Sequence, residues 1–423
     1  MSPLQYTIKR LRAFLDEISR LSTTEFPYSH SAEALQALTQ LFDEYLSLLE
    51  NLQIDPNIVE QTCRIVNRDI MIYLPILGFI LRSTNVRNAF EVYGPSLRLA
   101  GDILEPGIDL KKRSTKLILS SEWEYSPYVY RELPKLPGFA LIGLPAPESS
   151  NPLLVPLYGH ELGHIVWERK KIELEVRPKL REKIFSIIRS RWVDFQKSFP
   201  RQPEIMPADI ENDMYINEDL TPALNWALRQ AEESFSDYLG LCVFGSSFLH
   251  AFAYLISPSL SSVRNVKYPN MKTRVNNLKK AANYYKVEIT EGYESLFEDS
   301  KNPSLTSAYQ FLLKVADESL LGVLDDLITS VESIVNSSVF NDPSKKPSKE
   351  EQHKIYARLK QVVPAEKCRT LPDILNAAWT AYQDPHFWKD IPQVMEKKDL
   401  ILKNLVLKNI EVFEIEQILG EPA

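Results

Sequence analysis

A chain of 423 residues, 44% hydrophobic and 25% charged, is long enough for two or three ordinary domains or for one large enzyme with helical additions, and too apolar to be disordered. Its formal charge of -7 argues against nucleic acid as the main partner, since phosphate binding needs a basic face. Cys63, Cys242 and Cys368 stand far apart, without the short paired spacings of a metal knuckle or a disulfide framework, so a reducing cytoplasm is the expected home.

Met1 to Arg12 mixes charged and apolar residues and lacks the apolar stretch and cleavage site of a secretion signal. The first hundred residues read as helices. Ile8, Leu11, Phe14, Leu15, Ile18 and Leu21 recur at helical spacing, and Ser22-Thr23-Thr24 followed by Pro27 ends that pattern. A second stripe runs through Leu35, Leu38, Leu41, Phe42, Tyr45, Leu48, Leu49 and Leu52. Asp55-Pro56 has the form of a cap and first-turn proline opening a third helix. Ile70 to Leu81 is too short to span a bilayer and contains Pro75.

Between about Lys112 and Pro147 the composition changes. Lys116–Ser120, Trp123–Tyr130 and Phe139–Leu144 are short, rich in aromatic and branched residues and separated by prolines, as in a small sheet with exposed edges. From Pro152 to about Tyr285 the chain is helical again. Leu180, Ile184, Ile187, Ile188, Trp192 and Phe195 mark one amphipathic helix, whose other face carries Lys179, Arg181, Lys183, Arg189 and Arg191 as a solvated surface. A loop over Pro200–Asp219 precedes a helix that Thr221-Pro222 is expected to open. Leu239–Ile256 is apolar enough to ask about a membrane. Its Ser246, Ser247 and His250, and its continuity with a charged helix, favour a buried core helix instead, so no membrane insertion is expected. Helices follow Tyr285, Asn341–Glu350 is a polar linker, and Ile401, Leu402, Leu405, Val406, Ile410, Phe413 and Ile418 mark a terminal helical piece.

His160-Glu161-Leu162-Gly163-His164 is the chemically informative stretch. Histidines four apart on a helix lie one turn above each other, so both imidazoles can face one ion with the glutamate beside it, the HExxH arrangement of a zinc-activated hydrolase. Such a zinc needs a third protein ligand and an open position for water. The branch that takes a third histidine after a glycine is excluded, since Trp167 and Lys170 occupy those positions. A carboxylate from a later helix is the other solution. Glu233 and Asp237, four apart, share a helix face, so Glu233 can reach the metal while Asp237 accepts a hydrogen bond from the outer nitrogen of a ligand histidine. Glu232 has only Ser236 at the matching offset, and spacing favours Glu233.

HELGH at 160–164 followed by ExxxD at 233–237 resembles the signature of the gluzincins, the thermolysin-like zinc metallopeptidases. The resemblance covers about Lys116 to Tyr285. It implies a zincin-like core over 112–290, within a chain whose patterning reads as a mainly α fold with a small β-sheet and helical regions at 1–111 and 291–423. It further implies His160, His164 and Glu233 as zinc ligands, Glu161 as general base, Asp237 behind the ligands, and a polypeptide substrate paired with Phe139–Leu144 as an edge strand. An oxyanion donor is needed as well, and Arg274 or Tyr268, at the start of a later helix, could supply it. His250 reads as a core histidine, and His30, His353 and His386 have no partner at ligand spacing. No glycine-rich phosphate loop is present. The alternative is a non-catalytic, partner-binding protein with a structural zinc or none. Such a site closes its fourth position with protein, no obvious fourth ligand stands near either motif, and a binding protein has no chemical use for Glu161.

Overall fold

The computed structural model describes residues 2–51, 56–85, 88–130, 133–200, 206–207, 210–259, 261–389 and 397–420. The chain is mainly helical with one small three-stranded sheet. Four helices come first, α1 (Pro3–Leu21), α2 (Ser29–Asn51), α3 (Pro56–Arg82) and α4 (Tyr93–Leu104). The sheet follows, as β1 (Lys116–Glu122), β2 (Tyr128–Val129) and β3 (Phe139–Pro145). Then come α5 (Leu157–Arg169), α6 (Ile172–Ser190), α7 (Trp192–Ser198), α8 (Met214–Phe244), α9 (Ser246–Ile256) and α10 (Met271–Tyr285). The last are α11 (Ser307–Leu321), α12 (Leu324–Ser337), α13 (Lys349–Lys360), α14 (Leu371–Gln383) and α15 (Lys398–Gly420). Among the described residues, no helix is long and apolar enough to cross a membrane.

Residues 1–101 and 109–151 form one compact unit, and residues 102–108 and 152–423 another. The boundaries expected at 111 and 290 do not coincide with these units. The sheet belongs with the N-terminal helices because its apolar faces are buried there: Ile118 of β1 and Leu141 of β3 share a core with Leu11, Phe14, Leu38, Phe42, Tyr73 and Phe79. Ser2 opens α1 with a reciprocal cap, its hydroxyl accepting from the Gln5 amide while the Gln5 side chain accepts from the Ser2 amide. The cap expected at Asp55, and Leu52 of the second stripe, lie outside the described residues.

The strand order is β1-β3-β2. β1 runs parallel to β3 from Lys116 opposite Phe139 to Glu122 opposite Pro145, and β2 pairs antiparallel with β3, Tyr128 opposite Gly143. This corrects the expectation for Phe139–Leu144. The segment is the central strand, paired with β1 along its whole length and with β2 at Ile142 and Gly143. Of the Trp123–Tyr130 stretch, only Tyr128–Val129 is strand.

In the second unit α8 is the axis, with α5, α6, α10, α11 and α12 packed against it. Asp213 caps α8 by accepting from the Ile216 amide, and Pro222 lies inside the helix instead of opening it. An interior proline forfeits one helical hydrogen bond and costs about 3 kcal/mol. Here Ile216, Leu220 and Ala223, on both sides of it, are buried with Ile184, Ile188, Phe195, Leu312 and Val315, and that burial carries the helix through. The single helix expected over Leu180–Phe195 is instead α6 and α7, broken at Arg191, and Leu239–Ile256 is split at Gly245, whose φ of 64° falls in the left-handed region. The basic face of α6 is largely paired within the unit. Lys179 bonds Asp326, Arg181 bonds Asn217, Arg189 bonds Glu211, and Arg191 bonds Glu318.

Candidate metal centre

The centre is built where α5 and α8 cross antiparallel at backbone contact. A Cβ on Gly159 would lie 2.7 Å from Gly240 Cα, and one on Gly163 would lie 2.5 Å from Ser236 Cα, so the contact requires glycine at both positions. From Leu157 to Trp167, every α5 residue except the partly exposed His160 is buried, as is α8 from Gln230 to Leu241. Close crossing of two buried helices brings the HELGH residues against the acidic turn of α8.

His160, His164 and Glu233 each offer one ligand atom, and these atoms lie within 4.8 Å of one another. The two Nε2 atoms are 3.2 Å apart. Glu233 Oε2 is 3.4 Å from His160 Nε2, and Oε1 is 3.8 Å from His164 Nε2. A tetrahedral ion with ligands at about 2.0–2.1 Å spaces its donor atoms about 3.3 Å apart, close to what is found. Among the described residues, Glu233 Oε2 is moreover buried without a hydrogen-bond partner, a costly arrangement unless something else satisfies it. The donor set of two imidazoles and one carboxylate therefore fits a divalent ion of zinc type, supplying three of its four tetrahedral positions.

Both histidines are held from behind. His160 Nδ1–H donates to Asp237 Oδ1 at 2.9 Å, as the ExxxD spacing implies. Asp237 is gripped in turn by Arg274, which donates from Nε to Oδ2 at 2.7 Å and from Nη2 to Oδ1 at 2.8 Å. His164 Nδ1–H donates to Glu232 Oε1 at 3.1 Å, with Ser236 Oγ at 3.2 Å from the same nitrogen, and Arg229 Nη1 donates to Glu232 Oε2 at 2.8 Å. Burial pushes the His160 pKa down, yet the hydrogen bond to Asp237 and the carboxylates of Glu233 and Glu161 override it and hold it at about 10. Burial likewise pushes Asp237 up, and the Arg274 charge brings it down to about 2. With both histidines neutral, as ligation requires, four carboxylates (Glu161, Glu232, Glu233, Asp237) against two guanidiniums (Arg229, Arg274) leave a formal charge that a divalent cation would balance.

The structure thus brings together His160, Glu161, His164, Glu233 and Asp237. It gives Arg274 a different position from the oxyanion role. Its guanidinium is buried behind the ligands in a bidentate pair, 3.8 Å from Glu233 Oε2, with the rings of Phe252 and Tyr268 against it. Tyr268, exposed, packs on Arg274 with its ring centroid 5.4 Å from the guanidinium carbon. His250 lies elsewhere. Its Nδ1 accepts from the Gln383 amide, Trp379 packs against the ring, and burial lowers its pKa to about 4. The motif spacing sets Glu232 and Ser236 aside as a ligand pair without showing that both face His164, and it does not reach Arg229, although Arg229 and Glu232 are three apart. The glycines at 159 and 163, four apart, were a second unread signal. No protein-family model, curated protein or solved structure matches this chain, so the likeness to gluzincins rests on the motif residues themselves.

Proposed function

We propose that the chain is a zinc-dependent hydrolase of peptide bonds with a zincin-like centre, working in a reducing cytoplasm, where its three free cysteines remain thiols. The observation that carries the reading is the convergence of His160, His164 and Glu233 donor atoms at ligand spacing, with Glu161 on the turn between the histidines. Bound zinc supplies Lewis acidity and lowers the pKa of water from 15.7 toward about 7. The remaining steps belong to the chain. Asp237 and Glu232 fix the tautomers of the two histidines so that both Nε2 lone pairs face one point. Glu161, buried next to His160, takes a proton from the attacking water and returns it to the leaving nitrogen. Cleavage of an amide needs that return, because an unprotonated amine is a poor leaving group. With Phe139–Leu144 in the central strand of its sheet, the support for a peptide substrate is this acid–base requirement and the motif.

Elemental analysis of the purified protein should give about one zinc per chain, lost or much weakened in Glu233→Ala. Glu161→Gln should keep the zinc and lose hydrolysis of unfolded polypeptides. Full activity in that variant would refute the assignment of the base. Stoichiometric zinc with no hydrolysis by the wild type would select the structural, partner-binding alternative.

A further inference from the structure

The two ligand histidines are supported in the same way by different residues. Behind His160 stands the buried pair Asp237–Arg274, and behind His164 stands Glu232, itself bonded to Arg229. Glu232 immediately precedes the ligand Glu233, so α8 sends consecutive side chains to two tasks. Glu233 faces the donor cluster, while Glu232, rotated about 100° around the helix, reaches the far nitrogen of His164. Glu232 is buried, as is His164, so its charge is little screened at the imidazole. Arg229, with about half its side chain exposed, pairs with the other carboxylate oxygen and limits the rotation of the group.

We propose that Glu232 is a positioning residue for the metal, a second carboxylate that fixes the His164 tautomer and strengthens that imidazole as a ligand, so that metal affinity depends on it as well as on Asp237. The inference rests on His160, His164 and Glu233 being the ligands. Ser236 Oγ is the competing support for His164 Nδ1. A neutral hydroxyl shared with Glu232 orients the ring but adds no charge, so the carboxylate is the stronger influence.

The test uses full-length protein stripped of metal. Zinc affinity is measured by competition with a chromophoric chelator, and the ligand field is read from the absorption of the cobalt-substituted form. Glu232→Gln keeps size and one acceptor oxygen but removes the charge, and it should weaken zinc by about 10- to 100-fold and shift the cobalt bands. Its metal-free melting midpoint should remain that of the wild type. Glu232→Ala should be at least as weak, and Ser236→Ala close to wild type. Zinc affinity within about twofold of wild type in Glu232→Gln would overturn the proposal, as would a loss seen only with Ser236→Ala. If Glu233→Ala abolishes zinc binding while Glu232→Gln does not, only this inference falls. If the wild type binds no zinc, or Glu233→Ala is without effect, the ligand assignment falls first and takes the inference with it.

Discussion

At the scale of single residues, Arg274 shows how a charge can be essential without touching a substrate. Its guanidinium grips Asp237 through two hydrogen bonds, beside the single one from His160, and both Arg274 and Asp237 are nearly fully buried. Removing it leaves the buried carboxylate with the His160 bond but without its guanidinium, and breaking a buried pair in this way costs about 3–5 kcal/mol. Arg274→Ala should therefore lower the unfolding free energy by about that amount in urea titrations at pH 7; a loss below about 1 kcal/mol would mean that solvent reaches Asp237. The pH dependence has a definite sign. A carboxyl held at about 2 instead of its ordinary 3.8 contributes stability that is present above 3.8 and lost as pH falls toward 2. Without Arg274 the carboxyl is no longer held as low, so this acid-side loss should shrink.

At the scale of elements, the centre depends on the closeness of α5 and α8. Gly163→Ala places a methyl 2.5 Å from the Ser236 backbone, which no rotamer can relieve, so the helices must separate. Glu232 and Glu233, one turn from Ser236, would move away from the histidines with it. The variant should lose about 1–3 kcal/mol of stability and bind zinc more weakly than wild type, checked by urea midpoint and chelator competition. Unchanged values in both would show that α8 carries the ligands independently of this crossing. The corrections elsewhere have the same origin. Pro222 stays inside α8 because apolar neighbours on both sides are buried, while Gly245 ends the helix that hydropathy extends to Ile256.

For the whole molecule, the two compact units set the expectation for unfolding. Every residue of the centre belongs to the unit made of 102–108 and 152–423. A ligand at 100 times its dissociation constant stabilises the species that binds it by about 2.7 kcal/mol. Calorimetry should accordingly resolve two transitions, and a chelator should lower one and leave the other in place. A single transition, or two that move together on chelation, would show that the units do not unfold separately.

Much of this chain was legible before folding. Helical periodicity marked α1 and α2, aromatic and branched runs located β1 and β3, and the HELGH and ExxxD spacings picked out residues that do meet, because intrahelical geometry is local and a four-residue offset always lies on one face. Tertiary structure decided the rest. Whether Phe139–Leu144 lies at an edge depends on which strands flank it, and Arg274 is drawn from solvent exposure to Asp237 by a contact 37 residues away in sequence. The role of Glu232 could not be assigned from spacing, since it follows from where His164 arrives when α5 packs on α8. The sequence by itself determined which side chains could bind a metal; the crossing of two buried helices, made possible by the absence of a Cβ at Gly159 and Gly163, decided that they come together.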